Sequence, residues 1–183
     1  FYSASLFLLQ PLLALYLIKR GLRQPEYRRG WGQRFLARLP AFSALPTGQK
    51  RIWVHAVSVG EAHAVSPLVQ HWAKVYPLYE WAISCTTPTG LETCQRLYAG
   101  LNNVRFFYLP YDLPYLVSRS LRQVQAHALW IVETELWPNL LMGASKAGLH
   151  TALLNARVSP TTGKRLAQFD FISKPVLKSL KTL

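Results

Sequence analysis

The chain opens with an unbroken apolar run, FYSASLFLLQPLLALYLI, and meets its first charges only at Lys19 and Arg20. A run of eighteen uncharged residues lies at the lower edge of the ~17–25 residues that a helix needs to cross a bilayer. The basic flank is typical of a segment whose following residues stay in the cytoplasm. The pattern predicts a membrane-anchor helix over residues 1–20, with a buried apolar helix as the alternative.

A different pattern begins at Arg51, where short apolar runs alternate with segments of helical periodicity. Continuous apolar strands between amphipathic helices are typical of a parallel sheet that is covered on both faces. With right-handed crossovers, they predict a doubly wound α/β domain over residues 51–183. The predicted strands are 52–57, 80–85, 104–109, 128–133 and 150–156, and the predicted helices are 61–74, 89–98, 113–123, 138–147 and one from about 160.

The segment between these two regions, residues 21–50, is basic and aromatic. Nine basic residues lie from Lys19 to Arg51, against one acid, Glu26. Lys and Arg near a membrane bind lipid phosphates, and Trp and Tyr favour the headgroup level. This composition predicts a juxtamembrane collar and a linker, and the alternative is an ordinary solvated helix.

The overall charge of +13, from 21 Lys plus Arg and eight Asp plus Glu, favours an anionic partner. A phospholipid surface, a nucleic acid or a phosphorylated substrate would each fit. Cys85 and Cys94 lie nine residues apart and lack the spacing of a metal site, so we interpret them as packed, reduced thiols. Glu61 and His63 would point in different directions on a helix, and we predict no metal site.

Acidic residues are concentrated where the predicted strands end. Ligands of doubly wound sheets bind beyond the carboxyl ends of the strands. Four of the eight acids follow such ends, namely Glu61, Asp112, Glu133 and Glu135. In a strongly basic protein this clustering indicates a site. The same edge carries other candidates for ligand binding, which are Ser58, Gly60, Thr86, Thr87 and Arg157.

Several of these edge residues also have structural explanations. Asp112 is placed to cap the helix that begins near Pro114. Thr89 and Glu92 match the S/T-x-x-E capping box, and Ser159 precedes a proline as an N-cap would. The Arg157 side chain fits a solvated loop charge and a phosphate ligand equally well.

Glu61 is harder to explain by structure alone. We expect it to share a buried helix face with Val65, Leu68 and Trp72, and so to point toward the sheet edge. Gly60 lets a ligand approach the backbone. The helix dipole should keep the carboxylate ionised, which suits a general base that acts on an alcohol.

Glu133 and Glu135 place two carboxylates within three residues, and their mutual repulsion requires a nearby positive charge. A basic side chain, or a positive charge that develops on a ligand, would offset this repulsion. The transition state of glycosyl transfer has oxocarbenium character, which a carboxylate stabilises. The alternative for Glu133 is a strand-end acid that is hydrogen-bonded to backbone amides.

The motifs HAVSVGEAHAVSPLV, TTPTG, YLPYDLP, ETELWPNL and NARVS, in this order and spacing, closely resemble those of 3-deoxy-D-manno-octulosonic acid (Kdo) transferases of Gram-negative bacteria. The resemblance implies a two-domain GT-B fold and inverting, metal-independent transfer of Kdo from CMP-Kdo to a bis-phosphorylated lipid A precursor, lipid IVA. It implies that Glu61 is the general base, that Glu133 stabilises the transition state and that no cofactor is needed. It places the enzyme at the cytoplasmic face of the bacterial inner membrane.

The resemblance covers only the N-terminal, acceptor-binding half of such an enzyme. We expect the chain to be a fragment that is inactive alone, with CMP-Kdo bound by a missing C-terminal domain. The expected partners are the lipid A precursor and anionic inner-membrane lipids. Nucleic acid is not expected, because the acids at the sheet edge would repel it. Another membrane-associated GT-B glycosyltransferase and a non-catalytic basic membrane-binding module are the alternatives.

Overall fold

The computed structural model describes residues 2–182, except for the side chain of residue 165. An N-terminal helix and a short helical segment precede an α/β domain in which strands and helices alternate. The helices are α1 Tyr2–Arg23, α2 Trp31–Leu36, α3 Val59–Val75, α4 Pro88–Leu97, α5 Pro114–Val124, α6 Pro138–Lys146, α7 Pro160–Gln168 and α8 Asp170–Lys178, with a 3₁₀ turn at Pro25–Arg28. The strands are β1 Arg51–His55, β2 Glu80–Cys85, β3 Val104–Tyr108, β4 Ala128–Val132 and β5 His150–Leu154.

All five strands pair in parallel, in the order β3-β2-β1-β4-β5. The predicted doubly wound α/β fold is therefore confirmed. The central strand β1 pairs with β2 on one side and with β4 on the other, so His55 lies beside both Ser84 and Ile131. Helices cover both faces of the sheet because each face presents apolar side chains. Val54 and Ile83 pack on one face, whereas Trp53 and Leu129 pack on the other.

The predicted boundaries hold for the strands to within two residues, but the helix expected from 160 is two helices. The first ends at Gln168 and the second begins at Asp170. Ser159 caps the first of them as expected, since its hydroxyl accepts the backbone N–H of Thr162 at 3.1 Å.

Two predicted helix caps are wrong, for geometric reasons. Asp112 does not cap α5, because Leu113 occupies the cap position of that helix. Its carboxylate instead accepts the backbone N–H groups of Asn139 (2.9 Å) and Leu140 (2.8 Å), in the first turn of the neighbouring helix α6. Helix α6 also begins with a proline and has no side-chain cap of its own, so Asp112 serves as its cap through space.

Helix α4 likewise begins earlier than the capping-box match suggested. Pro88 is its first residue, so Thr87 is the cap and its hydroxyl oxygen accepts the N–H of Gly90 at 3.1 Å. Thr89 lies inside the first turn. Glu92 faces outward and pairs with Arg29 at 3.2 Å.

The N-terminal helix α1 presents most of its apolar side chains to solvent, among them Leu8 and Leu12. It is long and apolar enough to cross a membrane. Both of its ends nevertheless contact the α/β domain. The Tyr2 hydroxyl donates to Asp112 at 3.0 Å near one end, and the side chain of Leu17 lines a cavity shared with the domain near the other.

Candidate active site

The strand order reverses between β1 and β4, so the carboxyl ends of these two strands form the topological switch point of the sheet. From β1 the chain winds to β2 and β3 on one side, and it then crosses to β4 on the other. Such a switch point opens a crevice between the two neighbouring loops, where ligands of this fold bind. Glu61 follows β1 and Glu133 follows β4, so the topology places these two predicted residues on either side of the crevice.

Glu61 lies in the first turn of α3 and is only 5% exposed. Its Oε2 accepts the backbone N–H of Val57 at 2.8 Å, and its Oε1 accepts the hydroxyl of Ser58 at 2.8 Å. The Ser58 hydroxyl oxygen in turn faces the Glu61 N–H at 3.4 Å. The motif SVGE thus forms a capping box, a structural role that the S-x-x-E spacing signals but our sequence analysis missed.

Burial changes the pKa expected for this carboxylate. Desolvation raises the pKa of Glu61 above its usual value, and the charge of Glu133 adds to the rise, although the bonds from Val57 and Ser58 oppose it. The helix dipole, which favours the ionised carboxylate, is thus opposed by desolvation. A carboxylate with a raised pKa is a stronger proton acceptor than a solvated one.

The buried face of α3 also differs from the expected one. Val65 is buried, but Leu68 and Trp72 are 37% and 38% exposed. The side chains that pack inward are those of Ala62, Val65, Ser66, Val69 and Ala73. Glu61 is buried because it borders this face at the start of the helix and because its oxygens turn back onto the β1–α3 loop.

Glu133 and Glu135 stand across the crevice, both half-buried. Glu133 has a left-handed backbone (φ 59°), and its N–H donates to the Leu154 carbonyl at 2.8 Å. A left-handed φ is uncommon outside glycine and is often found at functional sites. Burial, and then the charges of Glu61 and Glu133, raise the pKa of Glu135. The structure therefore brings all three carboxylates within electrostatic reach of one another.

Among the side chains that the structure describes, which do not include that of residue 165, no basic group forms an ion pair with these three acids. Arg157, the nearest candidate from the sequence, is exposed; its backbone carbonyl accepts the Thr134 hydroxyl. Within the same described part of the chain, no three His, Cys, Asp or Glu side chains are placed to hold a metal ion. The positive charge that the repulsion requires is thus not supplied by these side chains.

The other predicted edge residues surround the β1–α3 loop. The hydroxyls of Thr86 and Thr87 donate to the Val57 carbonyl at 3.1 and 3.4 Å. Gly60 is exposed in the first turn of α3, and an added Cβ there would make only an ordinary contact, 3.9 Å from the Ser58 Oγ. Gly90 is more tightly packed against this loop, because an added Cβ would lie 2.7 Å from the Thr87 Oγ1 and 3.3 Å from the Val57 carbonyl oxygen. Gly90 was not among the predicted site residues.

Comparison with known proteins adds an independent line of argument. The model of the 3-deoxy-D-manno-octulosonic-acid transferase family (kdotransferase) matches residues 29–183. The chain belongs to the Kdo transferase family.

Among its relatives is the 3-deoxy-D-manno-octulosonic acid transferase of Haemophilus influenzae, which is 33% identical over 90% of this chain and 38% of its own length. The enzyme of the same name from Bordetella pertussis is 34% identical over the whole of this chain and 42% of its own length. This Kdo transferase chain therefore spans about two fifths of the length of these curated relatives.

One further buried polar residue at this strand end was not among the predicted site residues. His55, the last residue of β1, is fully buried, and burial lowers its pKa to about 4. Its Nδ1 contacts the Ser84 hydroxyl at 2.9 Å, while its Nε2 has no partner in residues 2–182. The imidazole ring lies edge-on to Trp137, with ring centroids 5.9 Å apart. Its position in HAVSVGE, directly before the loop, was the only available signal.

Proposed function

We propose that this chain is the acceptor-binding part of a GT-B enzyme that transfers Kdo from CMP-Kdo to a lipid A precursor, lipid IVA, with inversion and without a metal ion. Membership of the Kdo transferase family supports the transferred sugar. The observation that carries the proposal is the pair Glu61 and Glu133, which flank the switch point between β1 and β4.

In the proposed reaction Glu61 is the general base. An acceptor hydroxyl gives its proton to the Glu61 carboxylate, and its oxygen bonds to the anomeric carbon of Kdo. The bond from that carbon to the CMP phosphate breaks, and CMP leaves with the electron pair. The hydrogen bonds from Val57 and Ser58 hold the carboxylate in a fixed orientation, which favours proton transfer.

Glu133 is proposed to stabilise the positive charge that develops on the sugar as the bond to CMP breaks. None of the described basic side chains pairs with the three neighbouring carboxylates, so these are placed to favour a ligand that becomes positive. Glu135 strengthens this field from the same loop.

We assign acceptor binding to the residues around the β1–α3 loop, namely Ser58, Gly60, Thr86, Thr87 and Arg157. The threonine hydroxyls donate to Val57 and keep their oxygens as acceptors for sugar hydroxyls. The exposed backbone at Gly60 lets the acceptor approach beside the base. The exposed Arg157 is free to bind an anionic group of the lipid.

We propose three regions: a membrane anchor at 1–20, a basic collar and linker at 21–50, and the α/β domain at 51–183, with CMP-Kdo bound by a further C-terminal domain. The exposed leucines of α1 fit a lipid environment, and the collar fits anionic lipids at the cytoplasmic face of the inner membrane. Because both ends of α1 contact the domain, the helix is proposed to lie along the membrane surface.

The test is a transfer assay with the full-length protein, in which the chain is followed by the donor-binding domain. Incubation with CMP-Kdo and lipid IVA should raise the mass of the lipid by one or more Kdo residues. The variant Glu61→Gln should lose this product, whereas Glu92→Gln, which removes a surface carboxylate that pairs with Arg29, should keep it. Transfer by Glu61→Gln at the wild-type rate would refute the assignment of the base. Transfer of another sugar instead of Kdo would refute the donor.

A further inference from the structure

A cavity of about 240 Å³ lies between α1 and the sheet edge, next to the crevice described above. A water molecule occupies ~30 Å³ in the liquid, so several small groups fit inside. Two arginines, three tyrosines and two threonines supply charged and hydroxyl groups to its lining: Arg20, Arg34, Tyr16, Tyr27, Tyr111, Thr86 and Thr87. The cavity therefore combines positive charge with hydroxyl groups.

Arg34 is the unusual member of this lining. The residue is only 6% exposed, and its Nε and Nη2 atoms have no hydrogen-bond partner in the part of the chain that the structure describes. Its guanidinium makes a cation–π contact with Tyr108, whose ring centroid lies 4.2 Å from the guanidinium carbon. Burying a charge without a counter-ion is costly, so buried charges are normally paired.

Arg51, at the start of β1, is a buried arginine with a purely structural role. Arg51 is fully buried, and its guanidinium donates to the Glu80 carboxylate at 2.5 and 2.9 Å and to the carbonyls of Val124 and Ser43. Arg34 has none of these partners within residues 2–182. The contrast indicates that its partner is not one of these side chains.

A second arginine increases the positive charge of the cavity. Arg20, half-buried, donates to the Tyr27 hydroxyl at 2.6 Å and to the Tyr16 hydroxyl at 3.1 Å. Burial lowers the pKa of Arg34, the neighbouring tyrosines oppose this, and the charge of Arg20 lowers it further. Two arginines whose charges repel each other in an enclosed space form a site for an anion.

We propose that Arg34 and Arg20 bind a phosphate ester in this cavity. A planar guanidinium with free N–H groups matches the geometry of phosphate oxygens. The inference rests on the proposed function for the source of that phosphate. Since Thr86 and Thr87 line both this cavity and the β1–α3 loop, a phosphate bound here belongs to the acceptor whose hydroxyl reaches Glu61. A membrane phospholipid headgroup is the other source of the same chemistry.

The first experiment measures binding without the reaction. Thermal unfolding of the full-length protein in detergent is followed with increasing inorganic phosphate, at constant ionic strength set by chloride. We expect phosphate to raise the unfolding temperature of the wild type and of Arg119→Gln, a matched loss of one exposed arginine on α5. Arg34→Gln should lose the phosphate-dependent shift and should be no less stable than the wild type when phosphate is absent.

The second experiment identifies the source of the phosphate. With lipid IVA as acceptor, Arg34→Gln should raise KM by about tenfold or more and leave kcat nearly unchanged, because a charged hydrogen bond to the bound substrate is lost. With acceptor that a phosphatase has dephosphorylated, the wild type and Arg34→Gln should have the same KM. If a lipid headgroup were the source of the phosphate, Arg34→Gln would instead weaken binding to phosphatidylglycerol vesicles. The ratio of the Arg34→Gln KM to the wild-type KM would then be the same for the phosphorylated and the dephosphorylated acceptor.

Two results would overturn the proposal. One is a wild type that gains no stability from phosphate and whose KM does not depend on the acceptor phosphates. The other is an Arg34→Gln variant that is destabilised without phosphate yet keeps the full phosphate shift, since Arg34 would then be structural. If Arg34→Gln does not fold, the half-buried Arg20→Gln must lose part of the shift. Absence of Kdo transfer by the wild type would refute the proposed function and leave the phosphate measurement intact.

Discussion

Replacing Glu61 by glutamine should separate the activity of the site from its stability. The carboxylate accepts two hydrogen bonds, from the Val57 N–H and from the Ser58 hydroxyl, both at 2.8 Å. In Glu61→Gln the amide oxygen takes the Val57 bond, and the amide nitrogen donates to Ser58, because a hydroxyl also accepts. Both contacts survive, so the free energy of unfolding should change by less than ~1 kcal/mol.

Glu61→Ala is the matched comparison for this stability effect. It removes both bonds, and with them the glutamate half of the capping box, and it leaves the half-buried Val57 N–H without its partner. We expect a loss of ~1–3 kcal/mol in the free energy of unfolding, measured by urea denaturation of the full-length protein. Both variants should lose activity alike, because neither side chain accepts a proton. The expected fall in kcat is ~10²–10⁴-fold.

The pH dependence provides a further check, and its sign follows from the raised pKa of Glu61. Burial, reinforced by Glu133, lifts this pKa above the usual 4.5, so the folded protein holds a proton that the unfolded chain has already lost. The contribution to stability is present below pH 4.5 and is lost as pH rises through the folded pKa. Activity runs the opposite way and rises through the same window as the base forms. Glu61→Gln should remove this part of the stability profile.

A Glu61→Gln enzyme with wild-type kcat would refute the role of the base. A Glu61→Gln protein as unstable as Glu61→Ala would refute the hydrogen-bond exchange that we infer from the geometry.

Three further predictions concern stability and are tested by denaturation of the full-length protein. Glu80→Ala leaves the buried Arg51 without its carboxylate partner, and it should lower the free energy of unfolding by ~3–5 kcal/mol. Glu92→Ala, at the surface, should lower it by less than ~1 kcal/mol. Burial lowers the pKa of His55 from 6.5 to about 4, so the free energy of unfolding should fall by about 3 kcal/mol as pH drops through that window. His55→Gln should abolish that part of the fall; an unchanged profile would contradict it. Asp112→Ala removes the cap of α6 and should cost ~1–3 kcal/mol; wild-type stability would contradict that cap.

The sheet was predictable because its strands are continuously apolar and their ends are marked by loop residues. In β2 the run from Trp81 to Cys85 is buried throughout, as a strand covered on both faces must be. Prolines also marked where helices begin, at Pro114 and Pro138. These are local signals, and local signals can be read from a sequence.

The errors arose where the outcome depends on a neighbouring element. Leu68 and Trp72 have the spacing of a buried face, but α3 turns small residues such as Ala62 and Ala73 inward because it packs closely against α4. Trp72 instead stacks on Tyr76, with ring centroids 5.2 Å apart at the surface. Helical periodicity predicts that a face is apolar, but not which of two apolar stripes meets the next helix.

The cap formed by Asp112 shows the same limit for polar groups. The residue was identified correctly as a cap, but the helix that it caps lies 27 residues further along the chain. Only the packing of α5 against α6 brings them together. The same holds for the site, where Glu61 and Glu133 were found one by one from strand ends, while the effect of the Glu133 charge on the pKa of Glu61 follows from the adjacency of β1 and β4.

The charges that the fold leaves unpaired are the strongest argument for what it binds. The contact with Cys94 and burial raise the pKa of the Cys85 thiol, Glu61 adds to the rise and Arg34 opposes it, so both charges lie near this strand end. They do not pair, although pairing of the kind seen between Arg51 and Glu80 would lower the cost of burying each. Thr86 and Thr87, which follow β2, donate to the Val57 carbonyl of the β1–α3 loop and also line the cavity that holds Arg34. A ligand that carries a hydroxyl and a phosphate would satisfy both charges at once, which neither side chain does for the other.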